Sequence, residues 1–285
     1  MEFIELSNNL VEAKIALKGA EIISLNRIGN TSVLWNKDDL IWNRTAPNLF
    51  PIVGRLLHDS YSFKGERYSM SQHGFARDEQ FSVSNQTLES VDLNLSWNED
   101  SLAKYPFKFD LTIRYSLNEN GVDVWYHIKN VDDKKLGFSI GGHPGFQLND
   151  ELNMYKLVFS NPFSSERHEL EGAYYSGKCS TMDCSGELEL NNALFENDAV
   201  VFKNPPFTSV GLVHKTGGEL VRLQFDQLDA IGFWTKKDAP FFCIEPWWGW
   251  ADELKHTGDF ETKAGLHWLE IGQQQDFKYS IVLCL

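Results

Sequence analysis

The apolar positions of this 285-residue chain fall in short alternating runs separated by turn residues, the pattern of strands half buried against a core. Over Phe109–Leu117 the residues Phe, Leu, Ile, Tyr and Leu alternate with Asp, Thr, Arg and Ser. The pattern breaks at Asn118-Glu119-Asn120-Gly121 and resumes over Val122–Ile128, which predicts an antiparallel hairpin. Ala20–Leu25 and Thr31–Trp35 flank Gly29-Asn30, and Tyr61–Phe63 and Arg67–Met70 flank Lys64-Gly65-Glu66, so two more hairpins are expected. Val221–Phe225, Ala230–Trp234, Phe241–Ile244 and Tyr279–Leu283 read as further strands, and no sustained helical period is found. No Gly/Ser-rich linker, low-complexity run or internal repeat interrupts the chain. The expectation is one all-β domain over residues 1–285, two large antiparallel sheets packed face to face, with function on loops or a concave sheet face.

Charge narrows the class of partner. Lys and Arg number 26 against 40 Asp and Glu, a formal charge of −14, and the basic residues are scattered. This argues against a nucleic-acid or anionic-membrane surface. The opening Glu2-Phe3-Ile4-Glu5-Leu6 lacks the features of a signal peptide and no apolar run is long enough to span a bilayer, so a cytoplasmic protein is expected. Cys179, Cys184, Cys243 and Cys284 include no C-x-x-C pair, and no two histidines have the spacing of a metal site. Phosphate-loop and dinucleotide motifs are absent from the sequence. Neither a metal nor a cofactor is expected, which leaves proton chemistry or plain ligand binding.

Two separated segments carry that chemistry. Gly141-Gly142-His143-Pro144-Gly145-Phe146 and Glu245-Pro246-Trp247-Trp248-Gly249-Trp250 each set one proton-transfer group among glycine, proline and aromatics. Aromatic faces can stack on the C–H face of a sugar while a His and a Glu handle its hydroxyl and ring-oxygen protons. Glu245, crowded by indoles, is expected to have its pKa raised into a useful range, and Pro246 to end its strand. Cys243, two residues earlier, would share the face of Glu245 without acting as a nucleophile. Around His143 the glycines permit close approach of a ligand. Ser71-Gln72-His73-Gly74-Phe75-Ala76-Arg77 and Asn48-Leu49-Phe50-Pro51-Ile52-Val53-Gly54-Arg55 add a second His and two cations; Arg55 and Arg77 could each grip vicinal hydroxyls or a phosphate. For each of these the alternative is structural: a buried Glu bonded to backbone, a loop His on a carbonyl, a solvated Arg.

In this order, the Asn48–Arg55, His73–Arg77, Gly142–Phe146 and Glu245–Trp247 motifs resemble the aldose 1-epimerase (galactose mutarotase-like) superfamily, most closely its LacX-like branch. Gly19–Leu25 with Leu34-Trp35 is similar to that family's first hairpin, so the resemblance covers nearly the whole chain. It implies a β-supersandwich and cofactor-free interconversion of the α and β anomers of a hexose. Glu245 would remove the C1 hydroxyl proton and His143 would protonate the ring oxygen. His73 and Arg55 would hold the ring-oxygen side and the hydroxyls, Asp198 would match a hydroxyl-binding Asp, and Arg77, Phe146 and Trp247 complete the expected substrate contacts. The His-Gly-Phe-Ala-Arg form also occurs in hexose-6-phosphate epimerase relatives, so free and phosphorylated hexoses are both open, as is a non-catalytic sugar-binding protein. A two-carboxylate glycosidase fits less well, since only Glu245 has an aromatic setting. The expected partner is a small sugar, and monomer and homodimer are both open.

Overall fold

The alternation over Phe109–Leu117 becomes the strand Phe109–Asn118, paired antiparallel with Gly121–Asn130 in a computed structural model that describes residues 2–284. Phe109, Leu111, Ile113 and Tyr115 are buried on one face together with Val122, Val124, Tyr126 and Ile128, while the intervening residues point to the wetter face. This hairpin is the middle of a nine-stranded antiparallel sheet. From Glu187–Glu189 at one edge, the sheet passes through Tyr155–Phe159, Ser209–His214, Gly218–Phe225 and Gln274–Leu283 to the hairpin, and ends with Ser90–Ser96 and Ser82–Gln86. Each large apolar side chain enclosed this way contributes about 1.5–3 kcal/mol.

A second, eight-stranded sheet packs on it. In spatial order it runs Tyr174–Cys184, Phe163–Glu171, Val200–Lys203, Ala230–Trp234, Phe241–Trp248, Ile140–Gly142 and Asn48–Leu49, with Gly145–Gln147 also on Phe241–Trp248. The Phe241–Trp248 strand is buried along its whole length, and the two sets of alternate residues do different things. Phe242, Ile244 and Trp248 join the main core between the sheets, whereas Phe241, Cys243 and Trp247 belong to separate clusters on the opposite face. Glu245 has the parity of that opposite face. Val200 and Phe202 likewise enter the core while Ala199 and Val201 face the other way, so the outer face of this sheet is a hollow floored by small residues and walled by aromatics.

Three expectations are corrected. Ile22–Arg27 pairs with Val11–Ala16, and Thr31–Trp35 forms no strand beside it, contributing one backbone bond to Leu25 and a bridge from Leu34 to Phe146. Pro246 does not end its strand. Its neighbour Ile244 donates to the Pro144 carbonyl, and residue 246 has the same parity, so the missing N–H falls between the pairings of Trp247 with Gly141 and of Cys243 with Gly145, where the ladder is interrupted. Phe146, expected at the sugar, is fully buried in the main core and outside the hollow, because Gly145–Gln147 pairs with Phe241–Cys243 and turns that side chain inward with Phe242. The Lys64-Gly65 hairpin forms as expected, with both residues at positive φ. All four cysteines are free thiols, and no helix of the described residues is long and apolar enough to cross a membrane.

Candidate active site

The hollow closes into a cavity of about 310 Å³ on the outer face of the eight-stranded sheet. Ligand pockets run from roughly 300 to 1,000 Å³, so this one suits a monosaccharide better than an oligosaccharide. Glu245, His143, His73, Arg77, Asp198 and Trp247 all line it.

Glu245 rises from the floor of the Phe241–Trp248 strand, only 2% exposed. His143 sits where the chain steps from Ile140–Gly142 to Gly145–Gln147, its N–H bonded to the Pro47 carbonyl. The two meet: His143 Nε2 lies 3.0 Å from Glu245 Oε2, while His143 Nδ1 is buried without a partner. The imidazole is wedged between Trp42, tilted over it at 5.1 Å, and the edge-on Trp234 at 5.6 Å. Cys243 shares the parity of Glu245, and one atom each from His143, Cys243 and Glu245 lie within 4.8 Å of one another, a potential metal-binding trio that sequence spacing did not reveal. Burial and the nearby Glu245 push the Cys243 thiol well above its usual range, and a protonated thiol is a poor ligand.

His73 is held by a reciprocal pair of bonds: its N–H donates to the Gly54 carbonyl at 2.7 Å, and Gly54 N–H donates to its Nδ1 at 3.0 Å. With Nδ1 accepting, the ring proton belongs on Nε2. Gly74, the next residue, has positive φ, and a Cβ there would come within 2.2 Å of the Phe50 carbonyl oxygen, so only glycine permits this turn. Burial, reinforced by the neighbouring His143, Arg77 and Arg44, keeps the His73 imidazole pKa well below its ordinary range. His73 is therefore a neutral donor at physiological pH.

Arg77 is mostly buried, and its Nη2 donates to the Gln72 carbonyl at 2.6 Å, tying down the His73 turn. Its Nε is buried without a hydrogen bond, and burial lowers the pKa of the guanidinium. Arg77 and Gln72 also border an adjoining groove that contains Arg55, Lys104, Asp59 and Glu79. Asp198, at positive φ beside Ala199, has its carboxyl pushed above the ordinary aspartate value, first by burial and then by Glu245, with the Ala199 N–H, His143 and Trp234 acting in the other direction.

Arg55 departs from expectation. It lines the groove and not the cavity, half exposed, with Nε and Nη2 bonded to Asp59 at 2.7 and 2.6 Å, because the turn at Leu57–Asp59 returns that carboxylate to it. Trp42, Gln72, Tyr175 and Trp234, which sequence reasoning missed, line the cavity. Of these, Trp234 and Gln72 lay within segments already singled out, and their facing was the unread signal.

The family model for aldose 1-epimerase matches residues 2–172. The chain belongs to the aldose 1-epimerase family. A galactose mutarotase related enzyme from Lactobacillus acidophilus is 31% identical, with a TM-score of 0.96 over 100% of this chain and 98% of that one. A galactose mutarotase-like protein from Lactobacillus casei is 29% identical, with a TM-score of 0.92 over 99% and 100%. The plasmid-encoded LacX protein of Lactococcus lactis subsp. lactis is 26% identical over 275 residues, covering 91% of this chain and 92% of its own length. The fold is therefore galactose mutarotase-like, all-β with large antiparallel sheets. The family match ends before Glu245, whose place beside His143 comes from the geometry above.

Proposed function

We propose that this protein is a cofactor-independent aldose 1-epimerase acting on a free hexose, with residues 1–285 working as one domain. The observation that carries the reading is the 3.0 Å approach of His143 Nε2 to Glu245 Oε2 at the floor of a sugar-sized cavity. In a cyclic hexose the C1 hydroxyl oxygen and the ring oxygen are bonded to the same carbon, so groups serving both must be close neighbours. The cycle starts from carboxylate and imidazolium. Glu245 takes the C1 hydroxyl proton, the C1–ring-oxygen bond breaks, and His143 Nε2 gives its proton to the ring oxygen. The open-chain aldehyde rotates about C1–C2 and the same transfers run backward on its other face, restoring both groups. His73 Nε2–H, Arg77 and an ionised Asp198 would orient the hydroxyls, with Trp247 forming an apolar wall. Exchange NMR on the purified protein with glucose and galactose tests this directly: faster anomer exchange than in buffer is expected, and its absence would leave a sugar-binding protein without catalysis.

The raised Asp198 carboxyl gives a pH signature. Because its ionised form is needed to accept sugar hydroxyls, KM should begin to rise at a higher pH than an ordinary aspartate would cause as the medium is acidified. The folded pKa lies above the unfolded one, so ionised Asp198 costs stability above that folded pKa, and the cost is relieved as pH falls through it. Asp198→Asn should therefore raise KM, flatten this acid limb and leave Tm at neutral pH unchanged or higher. A KM profile that stays the same in the variant would remove Asp198 from the binding set.

A second reading, a hexose-6-phosphate substrate, is favoured by one observation: Arg77 stands between the cavity and the charged groove with its Nε free of any hydrogen bond, 3.8 Å from Asp78 Oδ2. A charge-assisted bidentate contact is worth about 1.5–3 kcal/mol, roughly 10- to 150-fold. Against it, the groove also holds Asp59, Asp78 and Glu79, and Arg77 already holds the Gln72 carbonyl. Arg77→Ala is expected to reduce turnover of glucose and glucose 6-phosphate alike, as the His73 turn loosens. Selective loss with the phosphate would move the protein to the phosphorylated substrate.

A further inference from the structure

Part of the cavity wall comes from the hairpin of Phe163–Glu171 and Tyr174–Cys184, whose tip brings Leu170, Ala173 and Tyr175 to the sugar space. Tyr175 is 2% exposed, yet its hydroxyl makes no hydrogen bond. A buried orphan hydroxyl is costly, and when it faces a ligand cavity the natural partner is the ligand. Nearby Trp247, 7% exposed, likewise leaves its indole N–H without a partner. The Trp247 ring lies across Gly232, where a Cβ would come within 2.6 Å of it, so its position is fixed by the sheet.

The Tyr175 ring is also fixed. Its backbone N–H donates to the Asp252 carbonyl at 3.0 Å, and Leu254 N–H donates to the Tyr175 carbonyl at 3.0 Å. Lys203 Nζ stands 4.3 Å from the centre of the Tyr175 ring and 4.5 Å from that of Trp250, a cation held between two aromatic side chains. Burial, with Glu245 and Glu253 adding to it, drives the phenol pKa far above its usual range, so the hydroxyl stays protonated and able to donate. A rigid, neutral donor on the cavity wall is well suited to reading one oxygen of a sugar.

We propose that Tyr175 is a specificity-determining residue, donating its hydroxyl proton to one hydroxyl of the hexose away from C1, with the indole N–H of Trp247, on the Phe241–Trp248 strand, as a second donor. This rests on the sugar-cavity reading above. The physical prediction is discrimination: a site built to bond a hydroxyl rejects an analogue lacking it more strongly than an apolar site would.

The test compares wild type and Tyr175→Phe on glucose and its 2-, 3-, 4- and 6-deoxy analogues, read both as anomer exchange and as binding by quenching of tryptophan fluorescence. Removing an unpartnered hydroxyl should leave Tm unchanged or raised, so the variant is expected to fold. Wild type should lose about tenfold or more with one particular deoxy sugar. Tyr175→Phe should lose a comparable factor with glucose, show no further loss with that analogue, and penalise the other three as wild type does. An unchanged variant, or one weakened equally on all five sugars, overturns the assignment. If wild type binds the panel but exchanges no anomers, the epimerase reading fails and the binding data still decide Tyr175. Failure to bind any of the five overturns both.

Discussion

Glu245→Gln is expected to lower anomer exchange by about 10²–10⁴-fold, the usual contribution of one positioned proton-transfer group, with fold and sugar affinity largely kept. The amide preserves the volume and one carbonyl oxygen of the side chain, so His143 Nε2 can still donate across the 3.0 Å gap. What disappears is the ability to accept and hold the C1 hydroxyl proton while the ring is open. Because that transfer develops in the transition state, the loss should fall on kcat with KM nearly constant. Exchange rates from NMR and a fluorescence titration on the same sample separate the two. Near-normal exchange in the variant would remove Glu245 as the base. Loss of binding together with a lowered Tm would mean instead that the buried carboxylate supports the sheet.

How far the site could be read from the chain depended on what kind of residue each one is. Glu245 was visible because a carboxylate inside an apolar, indole-rich run is out of place, and His143 because the surrounding glycines and proline leave little side chain to make an ordinary core. The hairpin at Phe109–Asn118 was visible because one of its faces is wetter than the other, which leaves a period of two. That signal vanishes in Phe241–Trp248, buried on both faces, so nothing in the residue order separates the core set Phe242, Ile244 and Trp248 from the outward set containing Cys243 and Trp247. Trp42, Trp234 and Tyr175 stayed hidden for the same reason: an aromatic residue is equally at home in a core and in a cavity wall. Phe146 was misplaced in the opposite direction. Arg55 was misplaced because its carboxylate partner, Asp59, depends on the sharp turn between them, where His58 and Asp59 both take positive φ. Asp198, matched only loosely from its neighbours, nevertheless lies on the cavity, beside Ala199 and Val201, which face the outer side of the sheet.

His143→Asn tests the other half of the proton circuit. Asparagine can donate a hydrogen bond to the ring oxygen but cannot release the proton, so kcat should fall by about 10²–10⁴-fold while KM changes little. The neighbouring His73, whose ring centre is 5.6 Å from that of His143, cannot readily take over. Its Nδ1 is occupied by the Gly54 N–H, and burial keeps the ring neutral, so giving up its Nε2 proton would leave an imidazolate. The prediction is correspondingly sharp: the double variant His73→Asn, His143→Asn should have almost the same kcat as His143→Asn alone, with the added loss appearing in KM. If His143→Asn changes only KM, His143 is a binding group and the acid lies elsewhere. If the double variant then loses kcat by a further large factor, His73 is the donor after all, and the tautomer fixed by Gly54 must change when the sugar enters.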